Sequence, residues 1–431
     1  GKGGEYAAPK PLATTPAAAG VDGSARDGKG AEAKVQGKGE TPAERERSTE
    51  EEKKEESKKQ TWVGRPSPLW KGPNEVLIKA WVKSQEQGTR EGRLARYVGA
   101  GGLANTFNGL LSGAVHGLLS NRRFAFESIY NTIFRSDELG WDIQKVPMSS
   151  FPSIGRTNRR VMIDWCYTIK SEPGKILSTL DPANGVDLPP APGPSVFYNT
   201  NCPLYKHWSR NPKLESKFLE LGLISKESTL PYSFQIAHQM TRFIAQPKDD
   251  LAKLVRETFE NERTKGVALV GVQIRMGGKA IGDTVEFGPS DMKWNRHFLT
   301  CAQNISQRIT DGRPVKFYVS ADRMDTHKLA AEVLGAENII SPIKQPKHTD
   351  RGNHQREATM QAALDSIYMG MYVEELVTTP GSTFGALAAI AMGRNPHHVE
   401  VEEGPKQFQC TLTDMLHAPP RYKLPGSAPL R

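Results

Sequence analysis

The sequence predicts an α/β protein with parallel sheets, made of two α/β modules joined by a helical connector. Apolar runs alternate with helical patterns from residue 93 to residue 126 and again from residue 266 to residue 401. The clearest strand, Val267–Ile274, is apolar at consecutive positions, which is typical of a parallel strand covered on both faces. Parallel strands joined by crossover helices give a doubly wound, Rossmann-like architecture.

The first 60 residues differ in composition from the rest of the chain. The 431-residue protein has 57 Lys and Arg against 48 Asp and Glu, a formal net charge of +9. Residues 1–60 hold 12 basic and 12 acidic residues and very few large apolar side chains, so the excess positive charge belongs to the remainder. Such a segment cannot offset its ordering entropy, and we expect a disordered tail or stem over residues 1–60.

The first module begins with a strand, a turn, a helix and a second strand. We predict the strands over Arg93–Val98 and Arg123–Phe126, with a glycine-rich loop and then a helix over Leu103–Leu119 between them. The region Trp208–Phe259 is mostly helical in pattern and is interpreted as a connector that closes this module. The predicted N-terminal domain therefore covers residues 61–260.

The second module, residues 261–431, has the most regular alternation of strand and helix patterns. The predicted strands are Val267–Ile274, Val315–Val319, Asn338–Ile340, Leu376–Thr379 and His398–Val401. The predicted helices lie near Trp294–Ile309, Thr326–Leu334, Ala358–Tyr372 and Thr383–Met392. Ligands of such sheets bind at the carboxyl ends of the strands, and two modules suggest a cleft between domains.

Several classes of protein are disfavoured by what the sequence lacks. No apolar run approaches the ~18 residues of a membrane helix, and four cysteines do not form a disulfide scaffold. The sequence contains no P-loop motif, no His-Glu-x-x-His motif and no cysteine or histidine spacing typical of zinc sites. The basic residues are scattered rather than interleaved with aromatic residues, which argues against a nucleic-acid binder.

A first candidate anion site follows the first predicted strand. Gly101 and Gly102 allow close backbone approach, the helix after them offers free N–H groups, and Asn105 adds a side-chain donor. The same loop, Gly99–Ala104, fits a looser dinucleotide pattern in which Glu127 would contact a ribose. An ordinary tight turn is the alternative interpretation.

A second candidate is Arg275, which follows a buried strand and precedes Gly277 and Gly278. A guanidinium in this position can hold phosphate oxygens in a bidentate manner and balance charge on a leaving diphosphate. The alternative is a structural ion pair with a carboxylate at the same sheet edge.

Two further segments end predicted strands. Ser320 and Asp322 follow the second strand of the module, where Asp322 could bind a ribose or a base edge, or cap the next helix. Ser382, Thr383 and Phe384 follow the fourth strand, at the start of a helix whose N–H groups and hydroxyls could bind an anion. Simple N-capping by Ser382 is the alternative there.

Together these segments resemble the plant-type fucosyltransferases, the xyloglucan fucosyltransferase family. The segments that carry the resemblance are Gly101–Asn105 with Asn121–Arg122, Val270–Arg275, Leu376–Thr379 with Ser382–Gly385, and Cys410 with His417–Pro420. The resemblance spans about residues 93–422. The chain departs from the first family motif at Ala104, where a glycine is common, and at Thr106, where an arginine is usual.

The resemblance implies a GT-B glycosyltransferase with two Rossmann-like domains facing a cleft. It implies an inverting transfer of fucose from GDP-fucose, without a metal or other cofactor. Arg275 would hold the donor diphosphate, with Ser382, Thr383 and Phe384 around the nucleotide and Gly101, Gly102 and Asn105 on the phosphate side. Ser320 and Asp322 are further candidates for donor binding. Asp283, Glu286 and Asp291 are candidates for the general base, although a water relay would also serve.

The resemblance also gives expectations about partners and location. The acceptor would be a hydroxyl of a cell-wall polysaccharide or of a glycoprotein glycan. The enzyme would lie in the Golgi lumen as a type II membrane protein whose anchor is not in this chain. Cys166, Cys202, Cys301 and Cys410 fit one or two disulfides, although Cys301 could be a buried thiol. The alternatives are a protein O-fucosyltransferase and a non-catalytic nucleotide- or carbohydrate-binding protein.

Overall fold

The computed structural model describes residues 74–98, 102–137, 139–146, 195–198, 203–277, 292–309, 311–342, 356–401 and 408–412. The predicted tail, residues 1–60, lies outside this part of the chain. All of the described residues belong to one contact unit, residues 61–431. The boundary between residues 260 and 261 stays a prediction.

A three-stranded parallel sheet forms the first module. Its strands are β1 (Leu94–Val98), β2 (Arg123–Glu127) and β3 (Ser195–Tyr198), in the order β2-β1-β3. Helix α1 (Glu75–Arg90) precedes β1, and helix α2 (Leu103–Ser120) connects β1 to β2. The two predicted strands and the helix between them are confirmed, whereas α1 and β3 were not predicted.

Helix α2 covers Leu103–Ser120, in agreement with the helix predicted from apolar spacing over Leu103–Leu119. Nearly every residue from Leu103 to Leu118 is buried, because the helix is covered by the sheet and by neighbouring helices. It ends at Asn121, whose φ of 50° is left-handed and whose backbone N–H bonds to the Gly117 carbonyl. Asparagine tolerates this conformation better than most residues, so the chain turns here into β2.

The connector is helical, as predicted. Its α-helices are α3 (Tyr205–Trp208), α4 (Pro212–Glu220), α5 (Tyr232–Ile244), α6 (Asp249–Val255) and α7 (Asn261–Thr264). A π-helical segment, Arg256–Glu260, links α6 to α7.

A five-stranded sheet forms the second module. Its strands are β4 (Ala268–Ile274), β5 (Val315–Ala321), β6 (Glu375–Thr378), β7 (His397–Val401) and β8 (Phe408–Leu412), in the order β5-β4-β6-β7-β8. Its helices are α8 (Met292–Ser306), α9 (Met324–Leu334), α10 (Arg356–Ala363), α11 (Met369–Tyr372) and α12 (Thr383–Met392). A π-helical segment, Leu364–Tyr368, joins α10 to α11. Strands β4 to β7 are parallel and β8 pairs antiparallel with β7.

The two faces of this sheet are covered by different helices. Leu269 of β4 packs into the large core that contains α10, α11 and α12, while Val270 and Val272 pack into a smaller core with α8 and α9. The connection from β4 therefore leaves on one face, and the connection from β6 leaves on the other. Adjacent strands with such opposite connections define the topological switch point of a doubly wound sheet, where ligands bind.

Two details of the second module differ from the prediction. The strand predicted over Asn338–Ile340 is instead a 3₁₀ turn, Ala336–Asn338, followed by a single bridge from Ile339 to Phe317. Strand β8 was not predicted, and it carries one half of a disulfide between Cys301 of α8 and Cys410. Cys301 is therefore not a buried thiol. Cys166 and Cys202 lie outside the described residues.

No helix in the described part of the chain combines the length and the apolar composition that a membrane span requires.

A buried carboxyl makes stability depend on pH. Asp365 accepts hydrogen bonds from the Tyr318 hydroxyl at 2.6 Å and from Gln361 Nε2 at 2.8 Å. Burial raises the pKa of Asp365 to about 6, and the two hydrogen bonds oppose this rise only in part. Because this pKa lies above the ordinary value of about 3.9, the folded state binds more protons than the unfolded state between the two values. The contribution of Asp365 to stability therefore increases as pH falls from 7 to 5.

Urea unfolding of the wild type and of Asp365→Asn at pH 7 and pH 5 tests this dependence. We expect the unfolding free energy of the wild type, relative to that of Asp365→Asn, to be higher at pH 5 than at pH 7. A difference that is the same at both pH values would contradict it.

Candidate functional site

The candidate site lies at the carboxyl ends of three adjacent strands. Arg275 directly follows β4, Asp322 directly follows β5, and Thr379 directly follows β6. The strand register places Gln273 opposite both Ser320 and Thr378, so the three strands end at nearly the same level. This is the switch-point edge defined by the opposite connections from β4 and β6.

A threonine hydroxyl ties the end of β4 to the end of β6. The backbone N–H of Arg275 donates to Thr379 Oγ1 at 2.9 Å, and this hydroxyl donates to the carbonyl of Gln273 at 3.3 Å. The Thr379 N–H bonds to the same carbonyl at 3.1 Å. Thr379 is buried and fixes where Arg275 leaves the sheet. Thr379 was predicted as the last residue of the strand Leu376–Thr379, whereas it directly follows β6, and the role of its hydroxyl was not predicted.

Asp322 fixes the loop that carries Arg275. Its Oδ2 accepts the backbone N–H groups of Met276 at 2.9 Å and Gly277 at 2.8 Å, and lies 3.6 Å from Arg275 Nε. Burial raises the pKa of the Asp322 carboxyl, while these two N–H groups and Arg275 act in the opposite direction. The other oxygen, Oδ1, is buried and has no hydrogen-bond partner in the described part of the chain.

These contacts test two interpretations from the sequence, the ion pair of Arg275 and the helix cap by Asp322. The structural ion pair considered for Arg275 is present, with Asp322 as the carboxylate. Helix capping by Asp322 is wrong, because the N-cap of α9 is Arg323 and the Asp322 carboxylate faces the β4 loop instead. The Arg275 side chain is still 22% exposed, so it is not wholly enclosed by the ion pair.

The turn after β6 presents backbone rather than side chains. Gly381 has a φ of +74°, and no atom of the described residues lies within 4 Å of the position that a Cβ would occupy. This positive φ favours glycine, and the open space leaves the backbone accessible to a ligand. Thr383 is exposed, and Phe384 packs partly against the large core.

Ser382 serves the helix itself. It is the N-cap of α12, and its buried Oγ accepts the N–H of Gly385 at 3.4 Å. The capping interpretation is therefore confirmed for its side chain. The N–H groups of Thr383 and Phe384 have no helical carbonyl partner by position, and the positive end of the helix dipole lies at the same place.

Gly385 allows α12 to approach β6 closely. A Cβ at this position would lie 2.8 Å from Thr378 Cβ and 2.9 Å from Gln273 Oε1. The latter oxygen is buried and has no hydrogen-bond partner among the described residues. Gln273 and Ser320 are buried side by side in the floor of the site.

We therefore expect Gly385→Ala to push the start of α12 away from the sheet. The substitution should destabilise the protein by about 1–3 kcal/mol, because a methyl group has no room there. It should also weaken anion binding at the switch-point edge. Gly381→Ala is the matched control, since its Cβ meets no atom and only its backbone conformation is strained. Urea unfolding that ranked Gly381→Ala as the more damaging change would contradict this geometry.

The remaining candidates lie elsewhere. Gly102 is the N-cap of α2, with extended backbone and no side-chain cap, and Asn105 is half-buried in the first turn of that helix. Glu127, at the end of β2, forms an ion pair with Arg96. The structure does not bring these residues into the hydrogen-bonded network of Arg275. Gly101, Asp283, Glu286 and Asp291 lie outside the described residues.

Comparison with solved structures identifies the fold. The chain is similar to an arginine-to-lysine mutant of FUT1 from Arabidopsis thaliana in complex with GDP, with a TM-score of 0.52 and 14% sequence identity over 84% of this chain and 88% of that chain. The chain has the GT-B fold. This confirms the predicted fold class of parallel α/β modules.

Two further similarities are to NodZ from Bradyrhizobium. The NodZ α-1,6-fucosyltransferase co-crystallised with GDP has a TM-score of 0.44 and 13% identity over 72% of this chain and 95% of that chain. The same protein soaked with GDP-fucose has a TM-score of 0.45 and 12% identity over 75% and 99%. No family model and no curated protein matches the sequence.

Proposed function

We propose that this GT-B protein is a fucosyltransferase that transfers fucose from GDP-fucose to a glycan hydroxyl, with inversion at the sugar carbon. The observation that carries the proposal is the anchored Arg275 at the switch point. Its backbone N–H is bonded to Thr379, which precedes the exposed Gly381 turn and the N-terminus of α12, and a guanidinium and a helix N-terminus at one sheet edge suit a diphosphate. FUT1, whose fold the chain shares, is known in complex with GDP.

The positive groups of the site support donor binding. The diphosphate would accept hydrogen bonds from the Arg275 guanidinium and from the first N–H groups of α12. Asp322 holds the guanidinium near the ends of β4 and β5 through its contact with Nε, and a guanidinium suits the paired oxygens of a phosphate. The unpartnered oxygens of Asp322 and Gln273 would accept hydrogen bonds from the nucleoside or from water.

The proposed reaction is a single displacement. The acceptor oxygen forms a bond to C1 of fucose while the bond from C1 to the β-phosphate oxygen breaks, and the electron pair of that bond stays on GDP. Arg275 and the start of α12 stabilise the charge that grows on the phosphate. The acceptor proton passes to a carboxylate, for which Asp283, Glu286 and Asp291 are the candidates, or to water.

The proposal includes no metal ion. In the described ranges, no group of three or more His, Cys, Asp or Glu side chains could hold one. Arg275 and the helix dipole would supply the positive charge that a metal supplies in other glycosyltransferases. A cell-wall or glycoprotein acceptor and a Golgi location with a separate membrane anchor remain part of the proposal.

A donor screen tests the proposed function. Melting temperatures are measured with GDP, UDP, CMP and ADP, and transfer of labelled fucose from GDP-fucose is then assayed on glycan and on protein acceptors. A selective rise with GDP and labelled glycan support the proposal. A rise in melting temperature with UDP or CMP instead of GDP would contradict GDP-fucose as the donor. GDP binding without transfer would favour a non-catalytic binding protein. Label on protein acceptors alone would favour a protein O-fucosyltransferase.

A further inference from the structure

A cavity lies at the edge of the five-stranded sheet opposite the candidate donor site. It has a volume of about 640 Å³ and is bordered by the first residues of β6 and β7, Glu375 and His397. Since β6 has four residues, each advancing about 3.3 Å, this edge is about 13 Å from Thr379 and the candidate donor site. The volume of the cavity lies in the usual range of small-molecule sites and is large enough for a sugar ligand.

The half-buried carboxylate of Glu375 lies between basic side chains of the cavity. Glu375 accepts a hydrogen bond from His397 Nε2 at 3.0 Å and lies 3.6 Å from Arg394. Burial alone would raise the pKa of Glu375, yet the contacts with His397 and Arg394 and the charge of Arg308 lower it. The lining thus carries two arginines, Arg308 and Arg394, and two carboxylates, Glu375 and the exposed Glu227 of the loop before α5, while His397 adds a positive charge only when it is protonated.

Arg308 is the cation that is left for a ligand. It follows α8, lines the cavity, and is exposed. Within the described residues it forms no ion pair, whereas Arg394 and His397 are both engaged with Glu375. A guanidinium of this kind binds a carboxylate through two parallel N–H groups.

The rest of the lining provides hydroxyl-binding groups and one apolar wall. Ser228, Thr229 and Glu227 come from the loop before α5. Leu412, at the end of β8, is 64% exposed, although most large aliphatic side chains of the described residues are covered. The disulfide between Cys301 and Cys410 joins β8 to α8 and so holds this wall beside Arg308.

We propose that this cavity is a second binding site, which takes a sugar bearing a carboxylate, that is, a uronic acid residue of a glycan. Arg308 binds the carboxylate, the hydroxyl and carboxylate groups of the 227–229 loop bind ring hydroxyls, and Leu412 covers the apolar face of the ring. The site is separate from the proposed donor site and does not depend on it. An acidic polysaccharide bound here through one uronic acid residue would keep the protein close to that polysaccharide, while the candidate donor site at the opposite sheet edge stays open to its own ligand.

Three probes of the same ring size test the charge requirement. Binding of D-glucuronate, D-glucose and D-glucosamine is measured by saturation-transfer NMR with the full chain at pH 7.5. We expect glucuronate to bind, and glucose and glucosamine to bind at least about 10-fold more weakly, since a charge-assisted contact contributes about 1.5–3 kcal/mol. Equal binding of glucose and glucuronate, or no binding of glucuronate, would overturn the proposal.

Variants locate the binding. Arg308→Gln is expected to weaken glucuronate binding about 10-fold, and Leu412→Ser to weaken it several-fold. Both side chains are exposed, so the melting temperature should stay unchanged. Arg296→Gln, at an exposed arginine of α8 outside the cavity, is the matched control and should bind glucuronate as the wild type does. Glucuronate binding that is unaffected by Arg308→Gln, or that octanoate displaces as readily as glucuronate itself, would refute the assignment.

The melting shift with GDP distinguishes the two sites. Arg308→Gln should leave it unchanged, because Arg308 lies at the other edge of the sheet. A protein that binds glucuronate but not GDP would contradict the proposed function alone.

Discussion

Replacing Arg275 by alanine is expected to lower fucose transfer by about 100- to 1,000-fold while the fold survives. A single donor to the developing charge of a transition state typically contributes a factor of this size. The side chain is partly exposed and its backbone N–H, rather than its guanidinium, holds the loop to Thr379. The measurement is kcat/KM for GDP-fucose, together with the melting temperature of the protein without ligand.

Arg90→Ala is the control for this substitution. Arg90 is an exposed arginine in the last turn of α1, so its removal changes the net charge by the same amount without touching the switch point. Transfer by Arg275→Ala at the rate of the Arg90→Ala control would refute the role of Arg275. Loss of transfer with a large fall in melting temperature would assign Arg275 a structural role through Asp322 instead.

Removing the disulfide is expected to cause the largest loss of stability. Cys301 and Cys410 are 109 residues apart, and closing a loop of this length restricts the unfolded chain strongly. We expect Cys301→Ala with Cys410→Ser to reduce the free energy of unfolding by about 2–5 kcal/mol, measured by urea unfolding without reductant. Strand β8 is at the edge of the sheet and pairs only with β7, so it should detach first.

The melting shift with GDP serves as the control for the disulfide variant. The bond joins α8 to β8, whereas Arg275 and Asp322 follow β4 and β5, so GDP should still raise the melting temperature. An unfolding free energy equal to that of the wild type would contradict the stabilising role of the bond. Peptide mapping without reductant should also recover Cys301 linked to Cys410.

Sequence patterns predicted β1, β2 and β4 to β7 because the signals of these strands are local, whereas the parallel strand β3 was missed. Consecutive apolar residues over β4 and helical spacing over α12 each depend on a few neighbouring positions, and both elements lie where expected. Strand β8 is different, because it is held by pairing with β7 and by the disulfide across 109 residues. Such pairing is not visible in the local pattern of Phe408–Leu412.

The same distinction applies to the site. That Arg275 follows a buried strand is visible in the sequence, and so is the hydroxyl-rich start of α12. The contact of Asp322 with the N–H groups of Met276 and Gly277 depends on β4 and β5 lying side by side, since Met276 and Asp322 are 46 residues apart in the chain. For this reason the sequence left Asp322 between a ligand-binding role and a helix cap, whereas the structure places its carboxylate on the Arg275 loop.

The most direct test of the central claim is a crystal structure of the protein with GDP. We expect the diphosphate at the carboxyl ends of β4 and β6, with its oxygens within hydrogen-bond distance of the Arg275 guanidinium and of the N–H groups of Thr383 and Phe384. GDP bound at another place, with the Arg275 guanidinium contacting no phosphate oxygen, would contradict it.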